Sequence, residues 1–485
     1  MTTTLQHLFS LFHGIVSKTK ENSKDETVDD FQAEKGCIAL LCPLSSSSIA
    51  LYHALWKSSF ACLWLPQDAS CSTAEWQYWL AESAAKAVII HPQYHDEIRS
   101  SCENLCIPYF ILMEEPSLLS SSQYTSFIKN SNGCHKFLQP PITHKTECEI
   151  SSPMKEISPS SHTSAIYTIL RHELSFGFLA VHSHASLWLQ RERLNSLFNF
   201  HISEKILHCI PPIFCQGHSD ILHVALKSQS CIVLPTDWKD PSTFWEDLQR
   251  FYNSTKKHIS VLSLTASQAI KLASVSPPPI LFQSFPMDPE ALSSSLLENL
   301  RLIIIANDQP FPSVGPGRGI IKRLQRWVTK ATILQTLAFP ETGTVFAASS
   351  RKHTLSTSLA GETLPGVEAE IDPDTQELRI RCTSMWKKYE NRPRSTKEHY
   401  IAEKLQFSTR CTATEVNGIY YIRGSTSNEM SKFPRKVSSL QLDAHKRCSR
   451  DKMHRNIEGY VHRIRLTGCN WGNLHKYKRH WKNKF

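Results

Sequence analysis

Apolar residues in the first hundred positions come in short, nearly unbroken runs separated by amphipathic stretches. Gly36–Cys42, Ala61–Leu65 and Ala87–His91 are strand-sized, and Ser47–Ser58 and Thr73–Ala84 between them have helical patterning. Strands with little polar alternation are buried on both faces, which predicts a parallel sheet covered by helices. The same alternation resumes at Ala165–Thr168 and continues through Lys205–Cys209, Ser230–Leu234, Ile259–Leu262, Leu302–Ala306 and Ala331–Thr336. Helices are expected over Ser186–Phe198 and Pro241–Tyr252, and Ser274–Leu296 reads as a Pro/Ser-rich loop. From about Gly361 the pattern shortens to Val367–Ile371, Glu377–Cys382, Thr412–Val416 and Ile419–Ile422, with turns at Asp372–Pro373–Asp374 and Asn417–Gly418. These are the marks of an antiparallel module.

The expected fold is therefore α/β, with two parallel-sheet lobes and a small antiparallel β module. The expected division is 1–115 and 162–350 for the α/β parts, 116–161 for a Ser/Pro-rich connection, 351–425 for the β module and 426–485 for a vestigial C-terminal segment. The chain shows no internal repeat.

Composition changes this picture little. Hydrophobic content of 41% and charged content of 20% describe a globular chain. No apolar run approaches the roughly 18 residues of a membrane span. Leu5, Leu8, Phe9, Leu11, Phe12, Ile15 and Val16 suggest a first helix rather than an export signal, and with fifteen scattered cysteines this predicts reduced thiols and a cytoplasmic protein. Charge is distributed unevenly. Residues 446–485 hold twelve Lys and Arg against Asp451 and Glu458, so the whole +10 excess lies in the tail. The balanced remainder gives no electrostatic reason to expect a nucleic-acid or membrane partner.

Several segments, in order, resemble the adenylate-forming (AMP-binding) acyl-CoA synthetases, and malonate–CoA ligases in particular. They are Cys37–Pro43 with its helix, Cys62–Pro66, Glu75–Ala87, Tyr167–Thr168, Val181–Leu187, Ile210–Pro212, Leu234–Pro235, Glu341–Gly343, Gly361–Val367, Ile422–Thr426 and Lys436–Leu440. Co-linearity spans roughly residues 36–443. The resemblance implies a two-step reaction, in which a small carboxylic acid attacks ATP to give an acyl-adenylate and coenzyme A then displaces AMP. It implies ATP with Mg²⁺ and coenzyme A as cofactors, and a mitochondrial location as the alternative to the cytoplasm. Thr168, Gly177, Glu341 and Arg423 are the positions it assigns to nucleotide binding, with Glu341 as the Mg²⁺ ligand. A solvent-facing or helix-capping Glu341 is the alternative.

Departures from the family pattern concentrate at the nucleotide. A Ser/Thr/Gly-rich phosphate loop ending in Pro-Lys-Gly would aim backbone N–H groups and a lysine at phosphates. Here Ile169, Leu170, Arg171, His172, Glu173, Leu174, Ser175, Phe176 and Gly177 occupy it, with backbone freedom only at Gly177. The aromatic-Gly-x-Thr-Glu motif reads Leu337–Glu341, keeping the Glu alone. The ribose Asp falls near Thr409–Arg410–Cys411, the basic hinge residue on Ser425 and the acyl-site segment on Phe214–Gly217. After about Asp443 the resemblance stops, without the lysine that drives adenylation.

Three readings follow: a residual ligase, a catalytically dead pseudoenzyme that binds a protein partner, and a gene model disturbed at 169–180 and 444–485. Nucleic-acid binding by the tail is a further alternative, since its cations are interleaved with Tyr460, Trp471, Tyr477 and Trp481, but no recognition motif accompanies them. Cys448, His454, His462 and Cys469 lack zinc-site spacing, and His208, Cys209, Cys215 and His218 read as strand and loop residues. Ser219 lacks a nucleophile elbow, and Gly315–Gly319 before a basic helix lacks the context of a dinucleotide loop.

Overall fold

The computed structural model describes residues 36–57, 60–67, 71–112, 164–172, 175–235, 241–255, 257–274, 297–307, 314–401 and 406–425. The chain divides into Met1–Thr426 and Ser427–Phe485. The expected first helix, the 116–161 connection and the basic tail lie outside the described residues.

The first sheet has seven strands in the order β16-β6-β5-β2-β1-β3-β4. They are β1 (Cys37–Leu41), β2 (Ala61–Trp64), β3 (Ala87–Ile90), β4 (Tyr109–Ile111), β5 (Ser164–His172), β6 (Ser175–Ser183) and β16 (Lys388–Tyr389). Helices α1 (Ser46–Lys57), α2 (Thr73–Glu82) and α3 (His95–Asn104) connect the first four. All five residues of β1 are buried, and successive side chains leave on opposite faces. Ile38 and Leu40 pack with Leu51, Tyr52 and Leu55 of α1. Cys37, Ala39 and Leu41 pack with Trp76, Trp79 and Leu80 of α2 and with Ile98 of α3. Two apolar faces explain why this strand carries no polar alternation.

The second sheet runs β14-β15-β18-β19-β13-β12-β11-β10-β9-β7-β8, with β17 pairing β18. Its parallel part is β7 (Lys205–His208), β8 (Cys231–Val233), β9 (Val261–Thr265), β10 (Leu302–Ala306) and β11 (Thr332–Phe339). Helices α4 (His184–Phe198), α5 (Leu222–Lys227), α6 (Pro241–Thr255), α7 (Ala266–Ser274) and α8 (Arg318–Trp327) accompany it. β12 (Gly343–Ser349) turns back antiparallel on β11 and pairs with β13 (Leu359–Thr363). The ladder continues through β19 (Ile419–Ser425), β18 (Gln406–Val416), β15 (Glu377–Cys382) and β14 (Val367–Ile371). The antiparallel module is thus hydrogen-bonded in continuation of the second sheet. Helix α9 (Pro393–His399) and β17 (Tyr400–Ile401) follow β16.

Three expectations need correction. The first lobe is mixed, because β5 and β6 are antiparallel and β16 extends them. The region around residues 169–172 and 175–177, expected as a loop, continues the two strands, with Ile169 opposite Leu179, Leu170 opposite Phe178 and His172 opposite Ser175. β18 begins at Gln406 rather than Thr412, since its alternate residues Phe407, Thr409, Cys411 and Ala413 face the interior.

Where α1 of the first sheet meets α4 and α5 of the second, the contact is aromatic and histidine-rich. Trp56 lies nearly parallel to His223 at 4.6 Å and to His184 at 5.3 Å. The Tyr52 hydroxyl and His223 Nε2 are 3.0 Å apart. His53 Nε2, Trp56 Nε1 and both ring nitrogens of His184 are buried without a hydrogen-bond partner among the described residues.

Candidate functional site

The four residues assigned to the nucleotide fall on three structures. Thr168 sits inside β5, buried, opposite Ala180. Gly177 follows on β6 with φ +93°, a left-handed conformation that a side chain would strain. Its carbonyl accepts the Tyr78 hydroxyl of α2 at 2.8 Å. Arg392 packs on the same corner, its Nε 3.1 Å from Glu82 and its guanidinium 5.9 Å over the Phe178 ring. The sequence makes this a hairpin for a local reason. Ile169, Leu179 and Val181 add apolar side chains to the cluster of Trp76 and Trp79. A ladder that spends backbone N–H groups on neighbouring strands does not turn them toward a phosphate.

Glu341 lies in the turn between β11 and β12 and is 2% exposed. The Tyr389 hydroxyl donates to its Oε1 at 2.6 Å, and its backbone carbonyl accepts the Trp386 N–H at 2.8 Å. Tyr389 is held between Phe178 of the hairpin and Trp386, each with ring centroids 5.5 Å away. Burial pushes the Glu341 carboxyl up to about 7, against the hydrogen bonds and the Arg410 charge that pull it down. Both sequence alternatives, solvent-facing and helix-capping, are therefore replaced by a third: a sealed carboxyl in a phenol hydrogen bond.

The magnesium role fits this geometry poorly. Mg²⁺ keeps several waters and is held by ionised carboxylates together with substrate phosphates. Glu341 has little exposure, and near neutral pH a substantial fraction of it carries a proton. Among the described residues, no group of three or more His, Cys, Asp or Glu is placed to hold a metal ion.

Behind Glu341 lies a second buried carboxyl that the sequence reading passed over. Asp220 belongs to a π-helical turn, Gln216–Ile221, leading into α5. Its Oδ1 accepts Gln190 Nε2 at 2.5 Å and the Ser219 hydroxyl at 3.2 Å, and its Oδ2 accepts the Thr344 N–H and hydroxyl. Burial raises it to about 6, opposed by these donors and by Arg193. Gly217 in this turn admits no side chain, because a Cβ would meet the Pro211 carbonyl oxygen at 2.1 Å. The segment matched to the acyl site is fastened to the end of β11: Gln216 Nε2 donates to Asn307 Oδ1 at 2.6 Å, which also accepts the Ala338 N–H at 2.9 Å. His182 is fixed by the Pro340 carbonyl at 2.6 Å, and burial lowers it to about 4.

At the position of the ribose Asp, β18 carries a bulge. Arg410 takes φ +57°, its N–H donates to Glu377 Oε1 at 2.8 Å, and Cys411 is buried with its thiol pushed up to about 12. A protonated thiol supplies no carboxylate for a ribose diol. Arg423 is exposed on β19, with Nε donating to Thr414 Oγ1 at 3.0 Å. Thr168 and Glu341 are thus linked through Ala180, which pairs with Tyr389, whereas Arg423 is engaged elsewhere. Tyr389 and Asp220 are the residues that sequence reasoning missed. Only the Glu341 side of the first pair belonged to a motif.

The mixed sheets and their connections define a class: the fold is that of the N-terminal domain of adenylate-forming acyl-CoA ligases. ATP-bound MatB from Rhodopseudomonas palustris superposes with TM-score 0.59 at 15% identity, over 84% of this chain and 71% of that one. The N-terminal domain of FACL13 from Mycobacterium tuberculosis gives 0.57 at 13%, over 80% and 86%. A benzoate CoA ligase from Burkholderia xenovorans LB400 gives 0.58 at 14%, over 82% and 71%. In sequence, the chain is similar to a malonate–CoA ligase of Arabidopsis thaliana, 23% identical over 279 residues. That match covers 54% of this chain and 43% of the relative. No family model matches the chain. Among the described residues no helix is long and apolar enough to cross a membrane.

Proposed function

We propose that this chain is an acyl-CoA ligase-like protein whose capacity to form acyl-adenylates from MgATP is severely reduced or lost. The observation that carries the proposal is Glu341. At the position where the family's resemblance places a magnesium ligand, the carboxyl is buried under Tyr389 and drawn toward its protonated form. The β5–β6 hairpin supports the same reading, since its strands continue into the phosphate-loop position. Losing one preorganised electrostatic contact costs about 10²–10³-fold in rate, and two such losses compound, though not additively.

By resemblance the parent reaction would join a small carboxylic acid to coenzyme A through an acyl-adenylate. Thr168, Gly177, Glu341 and Arg423 are the positions that would face its nucleotide. The scaffold is retained while the site chemistry is not, which favours a binding role with a protein partner over turnover. Titration calorimetry with MgATP tests this, followed by ATP–pyrophosphate exchange with malonate and other small carboxylates. The expected result is neither saturable heat nor exchange above background. Saturable binding with carboxylate-dependent exchange would sink the proposal.

A further inference from the structure

The charge balance of the chain outside its tail conceals a one-sided surface. Helix α8 carries Arg318, Lys322, Arg323 and Arg326, Lys330 follows in the next turn, and none of the residues from 314 to 330 is acidic. All five cations are exposed. Arg318, Lys322 and Arg326 recur every fourth residue, which aligns them along one side of the helix. Helix α7 packs alongside and contributes exposed Lys271, with Ile270 42% exposed beside it. None of these six cations forms an ion pair with another described residue. On α6, Asp247 is paired with Arg250, and Glu246 is exposed.

The inner side of the same helix fixes the display rigidly. Ile321, Leu324 and Val328 are buried in the cluster that holds Ala269, Leu272 and Ala273 of α7, and Ile320 and Trp327 are partly buried against it. The Trp327 ring meets Trp245 edge to face at 5.7 Å. With those apolar groups spent on the core, the outer face offers a layer of unpaired cations with exposed Ile270 at its edge, which matches the charged headgroup layer of an anionic lipid surface. A nucleic-acid strand would call for free aromatic faces on which bases stack, and the Trp327 ring is engaged with Trp245.

We propose that the α7–α8 face is a docking surface for an anionic phospholipid membrane, with Arg318, Lys322, Arg323, Arg326, Lys330 and Lys271 on the headgroups and Ile270 at the acyl boundary. Clustered Lys and Arg near an anionic leaflet each add to the attraction, and the effect decays within a Debye length. The surface is independent of whether the nucleotide site works.

Flotation of the full chain with phosphatidylcholine vesicles containing roughly one-third phosphatidylserine tests the assignment. Binding should be lost with phosphatidylcholine alone and weaken as salt rises. The triple variant Arg318→Glu, Lys322→Glu, Arg326→Glu should bind about a hundredfold more weakly with unchanged circular dichroism and Tm. Lys476→Gln, Lys478→Gln, Arg479→Gln in the tail should bind as the parent does. Ile270→Asn should weaken binding a few-fold and make the remainder more salt-sensitive. A helix variant that floats like the parent, with binding lost in the tail variant, would overturn the proposal. So would tighter binding to a single-stranded oligonucleotide than to the vesicles, sensitive to the same helix charges.

Discussion

Two buried polar regions of this protein solve the same problem in different ways. Around Asp220 and Glu341, carboxyl oxygens meet hydroxyl, amide and backbone donors at hydrogen-bond distance. Around Trp56, rings lie face to face while His53 Nε2, Trp56 Nε1 and both His184 nitrogens lack partners among the described residues. A satisfied network fixes a geometry and tolerates low dielectric; an unsatisfied one costs about 1–3 kcal/mol for each orphaned group. The histidine region therefore depends on its rings staying neutral, and the carboxyl region depends on its donors staying in place.

Acidification should separate the two most strongly. Burial lowers His53 and His184 beside Trp56, and His182, His208 and His218 elsewhere in the core, from 6.5 to about 4. Between those values the unfolded chain binds protons that the folded chain refuses, so stability is present above pH 6.5 and is lost as pH falls. Linkage puts this at roughly 2 kcal/mol per histidine at pH 5. The carboxyls run the other way: Glu341, raised from 4.5 to about 7, and Asp220, raised from 3.8 to about 6, lose their contribution as pH rises through those upper values. Five histidines outweigh two carboxyls, so thermal melts should give a lower Tm at pH 5 than at pH 7. Equal Tm values would dismiss the neutral-histidine account.

Trp56→Ala should come next, at about 3 kcal/mol, because it removes the ring that His184 and His223 both stack on. Urea unfolding at pH 7.5 measures it. Asp220→Asn should cost about 2 kcal/mol in the same assay, since its new amide N–H groups would face existing donors. Glu341→Gln should change stability by less than about 1 kcal/mol at neutral pH, keeping an oxygen for the Tyr389 hydroxyl and removing the buried charge. A large loss in that variant would show that the ionised carboxylate is needed. Smallest is Arg410→Gly, which should stabilise by roughly 0.5 kcal/mol by relieving the left-handed backbone at φ +57°.

Legibility in the sequence followed the range of the interaction. β1 and β10 were visible because burial on both faces leaves a local trace, Cys37–Leu41 and Leu302–Ala306. The hairpin is poorly legible although Ile169, Phe178 and Leu179 are good strand residues, since Arg171, His172 and Glu173 interrupt the apolar run and the pairing of β5 with β6 is what extends it. Helix α9 and the two-residue strands β16 and β17 left too short a period to detect. Glu341 was found by its motif, but Tyr389 is 48 positions away and its bond is a tertiary fact. Asp220 leaves no trace in the sequence, because a carboxyl buried by the fold looks there like any exposed one.

Strand β16 has a consequence for how the chain is made. It covers the outer edge of β6 by pairing Lys388 with Val181 and Tyr389 with Ala180, some 200 residues later in the sequence. At about 5–20 residues per second, a ribosome would need roughly 10–40 s to reach it after finishing β6. For that interval the first sheet is born with a bare, hydrogen-bond-hungry margin. A nascent chain arrested before residue 388 should hold trigger-type chaperones longer than one released beyond residue 401.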